Sequence, residues 1–123
     1  MKSLSEIANA FLGMVAEVRH QLGPGLREST YEAALCVELD AAGLKYRRRL
    51  ALPVLYKGRP VGEFLLDLLV EDAIAVGIQS VGHHDPTFPE QILTSLKIAG
   101  NRLGLWIDFN AGRPREGITR FVL

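Results

Sequence analysis

The chain has 123 residues, 48% of them hydrophobic and 23% charged. That is one domain's worth of length with a globular balance of composition, which excludes disordered, collagen-like and disulfide-built proteins. Fourteen basic residues offset fourteen acidic ones, so total charge argues against long-range capture of a polyanion and leaves room for a local basic patch.

Ile7, Phe11, Met14, Val15, Val18 and Leu22 recur at helical spacing and predict an N-terminal helix over residues 4–22 with one apolar stripe against a core. Gly23-Pro24-Gly25 stops it. A second helix is predicted from about Leu26 to Ala42, with Tyr31, Ala34, Leu35 and Leu39 inside and Gly43 as its stop. Cys36, alone in the chain, has no partner for an internal disulfide and reads as a small buried helix residue. The period then turns extended. Tyr46–Leu50 runs on as Ala51–Tyr56, Lys57-Gly58-Arg59 makes a turn, and Val61–Val70 returns antiparallel. Glu71-Asp72 turns into Ala73–Val81, where Ile74, Val76 and Ile78 predict a packed face while Ala73, Ala75, Gly77 and Gln79 predict an open one. Gly82–Pro89 reads as a loop, Glu90–Ala99 as a helix, and Leu103–Phe109 and Ile118–Leu123 as strands. The order ααβββαββ implies an α/β or α+β sheet flanked by helices. No apolar run approaches the roughly 20 residues of a membrane span, and the first residues lack a charged-then-apolar leader. A single cytoplasmic domain over residues 1–123, with no membrane partner, is expected.

Three segments together carry a family resemblance. Gly25-Leu26-Arg27-Glu28-Ser29-Thr30-Tyr31 is a G-x-x-E-x-x-Y string, Gly62–Asp72 looks like a strand bearing the acid Asp67, and Pro89–Lys97 looks like a helix anchored by Gln91. In order and spacing they resemble the GxxExxY protein family, a group within the PD-(D/E)xK nuclease-like superfamily, over about residues 10–123. The resemblance implies a restriction-endonuclease-like α/β fold: a mixed sheet of about four or five strands with helices on both sides.

In nucleases of that superfamily, strand and helix carboxylates hold Mg²⁺ beside the scissile phosphate, the metal acidifies a water, and a lysine supplies positive charge. By resemblance Glu28 matches the helix acid, Asp67 the strand acid and Gln91 the later glutamine. The next acid and the lysine fall at Gly77 and Gln79, which carry neither charge, and Ser95 stands where the family's helix tends to have tyrosine. The implied catalytic set, Glu28, Asp67, Gly77, Gln79 and Gln91, is therefore vestigial. No cofactor is expected beyond Mg²⁺ or Mn²⁺ held weakly by Glu28 and Asp67.

Each residue also has a plainer reading. Glu28 near a helix start stabilises the helix dipole by roughly 0.3–1 kcal/mol. Asp67 interrupts an apolar strand, so it either faces a cleft or accepts hydrogen bonds, since an unpartnered buried carboxylate is costly. His83, His84 and Asp85 suit Zn²⁺ or Mn²⁺ chemically, yet also suit a solvated loop. Strand alternation puts Arg47 and Arg49 on one face and Arg48 on the other. There they either meet phosphates or protect a sheet edge from pairing. Lys97 and Arg102 complement a helix C-terminus, and Trp106 reads as packing rather than a base-stacking platform. The first functional reading is a nuclease-like domain without efficient catalysis that contacts DNA or RNA through Arg47, Arg49 and Lys97. The second is a homo-oligomeric structural or partner-binding protein, paired through its N-terminal helix or a sheet edge. The third is a metal-dependent phosphodiesterase with ligands relocated to Glu28, Asp67 and His83 or His84.

Overall fold

The computed structural model describes residues 2–79, 94, 97, 100, 103–110 and 117–122. Helix α1 (Leu4–Leu22) begins at a capping box: the Glu6 amide donates to Ser3 Oγ at 3.1 Å and the Ser3 amide donates to Glu6 Oε1 at 3.2 Å. Its stripe of Ile7, Ala8, Phe11, Met14, Val15 and Val18 is buried, whereas Leu22, expected in that stripe, is 42% exposed because the helix end clears the core. Helix α2 (Glu28–Ala42) starts two residues later than its apolar spacing suggests and ends at Gly43, whose left-handed φ of 72° suits a residue without Cβ. Tyr31, Glu32, Leu35, Cys36 and Leu39 form its buried face.

Five strands follow among the described residues: β1 (Tyr46–Tyr56), β2 (Arg59–Val70), β3 (Ile74–Gln79), β4 (Leu103–Asp108) and β5 (Ile118–Val122). They form one mixed sheet in the order β1-β2-β3-β4-β5, with β3 and β4 parallel and the other neighbours antiparallel. The mixed α/β architecture is the restriction-endonuclease-like one expected. Lys57 and Gly58 join β1 to β2 with φ of 50° and 78°, the positive pair that matches the twist of a two-residue hairpin. The region 90–99 expected to be helical lies largely outside the described residues; of it, Thr94 and Lys97 are helical and exposed.

Two apolar clusters hold the sheet. Helices α1 and α2 cover Leu68, Val70, Ile74, Val76, Ile78, Leu103, Leu105 and Ile107, and the opposite face gathers Leu52, Leu66, Leu69, Ala75 and Trp106. Strand β3 is buried at all six positions. The open face expected along its odd positions is thus a covered one. Gly77 pairs with Trp106, so it and Gln79 follow Ala75 onto the second face, where Gln79 is 2% exposed. Among the described residues no helix is long and apolar enough to cross a membrane.

Candidate functional site

The G-x-x-E-x-x-Y string is a piece of local architecture with one acid left over. Gly25 takes a φ of 98°, which side-chain-bearing residues rarely adopt. The Tyr31 hydroxyl donates to Gly23 O at 2.6 Å and accepts from the Leu26 amide at 3.1 Å, lacing the turn to α2. Its ring is fully buried and stacks on Phe109 with centroids 4.3 Å apart. Both ends of the string are consumed in holding this turn. Glu28 is thereby set as the first residue of α2, over the sheet.

There it borders a pocket of about 210 Å³ with Ser29, Glu32, Arg49, Leu65, Asp67 and Ile78. Asp67 stands where β2 and β3 part. The paired run ends at Leu68 opposite Val76, and one step further sets Asp67 across from Gly77. The carboxylate takes over from the backbone ladder, Oδ2 accepting the Ile78 amide at 2.8 Å. Burial chiefly pushes this carboxyl up to about 6, with Glu32 and Glu28 adding to the rise and the Ile78 amide and Arg49 opposing it.

Glu32 is the pocket residue that sequence reasoning missed. It is 5% exposed and takes Arg48 Nη2 at 2.9 Å and Arg49 Nε at 3.7 Å. Its signal was its place one turn after Glu28, on the same side of α2. Convergence of Arg48 and Arg49 on one carboxylate corrects the alternation expected for this tract. Arg49 has a φ of 50° and drops out of the otherwise regular pairing between Arg48–Leu68 and Leu50–Leu66, so the strand turns there and both side chains reach α2. Arg47 faces elsewhere and pairs with Asp72 at 2.6 Å in an exposed ion pair.

The rest of the expected set brings no charge to this pocket among the described residues. Gly77 and Gln79 bring neither carboxylate nor ammonium, and among the described residues Gln79 Oε1 has no hydrogen-bond partner. Gln91, His83, His84, Asp85, Ser95 and Arg102 lie outside the described residues. Lys97 is exposed. Trp106 is 3% exposed within the second cluster, a packing position, and Cys36 is buried with its thiol pushed up chiefly by that burial. The α1 stripe expected to serve in oligomer pairing is spent in the chain's own core.

A catalytic divalent cation does not fit the residues described. Among them no three His, Cys, Asp or Glu side chains converge as a metal site, and Glu32 is already held by two guanidinium groups. A family model for the PD-(D/E)XK nuclease superfamily matches residues 5–121. No curated protein and no solved structure shows significant similarity to the chain.

Proposed function

The chain belongs to the PD-(D/E)XK nuclease superfamily, and from that premise we propose a nuclease-like domain that contacts nucleic-acid backbone without cutting it. The observation that carries this reading is that Gly77 and Gln79 stand where the family resemblance calls for an acid and a lysine, so that β3 carries neither charge. Removing one preorganised charge-stabilising group costs on the order of 10²–10³ in rate. Here two are missing at once. Asp67 supports the same reading: its carboxyl stands near 6, and the cation that acts on it, Arg49, is shared with Glu32.

Contact with phosphates is supported by where the cations sit. The Arg47 and Arg49 side chains are 58% and 62% exposed, Arg49 on the pocket rim, and Lys97 is exposed as well. Each arginine is paired with a carboxylate, yet exposed pairs contribute only about 0–1 kcal/mol, so a phosphate can exchange for Asp72 on Arg47 at small cost. The test is a gel-retardation series on DNA and RNA across salt concentration, with cleavage followed in parallel in Mg²⁺ and in Mn²⁺. Salt-dependent binding that weakens in an Arg47→Ala/Arg49→Ala variant, without cleavage, is the expected result. Metal-dependent cutting that Asp67→Ala abolishes would refute the reading.

A further inference from the structure

The β1–β2 hairpin leaves the sheet as a two-stranded arm. β1 and β2 have 11 and 12 residues against 6 each for β3 and β4, and β2 pairs with β3 over Leu68–Val70 alone. A hairpin of two strands is marginal in water unless a face is covered. One face is covered: Leu52, Phe64 and Leu66 join the second cluster. The other holds Ala51, Pro53 and Leu55, with Leu65 across from Ala51; Leu55 and Leu65 are 58% and 60% exposed, and Val61 at the irregular step of the ladder is 62% exposed.

Charge is segregated along this arm. Its tip carries Lys57, lying over the Tyr56 ring, and Arg59, and neither enters an ion pair among the described residues. Its foot, at Leu65, opens on the pocket where the carboxylates Glu28, Glu32 and Asp67 outnumber the guanidinium of Arg49. We propose that two copies of this chain pack the exposed faces of their arms together antiparallel, setting the Lys57/Arg59 tip of each against the carboxylates at the foot of the other. A two-fold axis repeats every contact, so Leu55 and Val61 of one copy cover Leu65 of its partner on both sides. The arm is long enough for this, because Arg59 to Leu65 spans roughly 20 Å at about 3.3 Å per extended residue. A nucleic acid is the poorer occupant of this face, since between the Lys57/Arg59 tip and Leu65 the two strands present Glu63 and no cation. The inference rests on the pocket being a nuclease-like site without the superfamily's lysine: each copy then lends its partner positive charge beyond that of Arg49, which Glu32 already holds.

Size-exclusion chromatography with light scattering on the intact chain tests this independently of any cleavage result, because mass does not depend on turnover. The expected mass is twice the 13.5 kDa of one chain, falling to one chain in Leu55→Asp and in Lys57→Glu/Arg59→Glu, with circular dichroism showing both variants folded. Adding Glu28→Lys to the tip reversal should restore part of the dimer, since the acidic tip then meets a positive charge at the partner's foot. A single-chain mass at every concentration overturns the proposal. So does a dimer that survives the tip reversal, which would mean another arrangement.

Discussion

Asp67 binds its proton more tightly in the folded chain than in the unfolded one, because burial, and after it the charges of Glu32 and Glu28, raise it from the ordinary 3.8 to about 6. The stabilisation this brings is fully present below pH ~4 and is lost as pH rises through about 6. Asp67→Asn keeps an acceptor for the Ile78 amide and removes the titration. Above pH 6 it should therefore exceed the unsubstituted chain in stability by about 1–2 kcal/mol, a figure reduced for partial exposure. Denaturant unfolding at several pH values measures this, and parallel pH profiles for the two proteins would contradict it. Tyr31 gives a second residue-scale expectation. Tyr31→Phe keeps the stack on Phe109 but strips partners from Gly23 O and the Leu26 amide, costing about 1–3 kcal/mol in the same assay. A change near zero would mean that water satisfies both groups and that the tyrosine does not hold the turn.

Between elements, the contact that shapes the pocket is α2 to β1 through Glu32, Arg48 and Arg49. Glu32→Gln removes a shared charge from two arginines that are 41% and 62% exposed, so it should lower stability by about 1–2 kcal/mol and free both guanidinium groups for phosphate. Retardation of DNA should then strengthen and its salt dependence steepen. Unchanged retardation would take the arginine tract out of the interface. The helices and the hairpin turn were legible because their signals are local: a period in Ile7–Val18, a stop at Gly43, and a turn at Lys57-Gly58. The break at Arg49 was not, since a left-handed arginine carries no glycine to mark it. Glu32 was passed over because a polar residue on a helix defaults to solvent, and its burial comes from arginines on a different element. The cover over Gln79 was equally hidden, for Trp106 on the same face comes from a strand far along the chain.

Over the molecule as a whole, a formal charge of zero conceals a division into an acidic pocket, an arginine tract beside it and a cationic hairpin tip. Superfamily membership and the mixed sheet were reachable from ordered motifs. The fit of a metal was not, because it depends on how carboxylates converge in space. Glu28 and Asp67 border one pocket, but the third acid there is committed to arginine, and β3 contributes no charged side chain. An intact scaffold of this kind should keep its fold without a metal, so a chelator should leave the unfolding midpoint unmoved; a marked fall would reveal a structural cation. The most direct measurement is cleavage of single- and double-stranded DNA and of RNA by the unmodified chain in Mg²⁺ and in Mn²⁺. No product above background is expected, with or without Asp67→Ala; metal-dependent product that disappears in Asp67→Ala would contradict the loss of catalysis on which the functional reading stands.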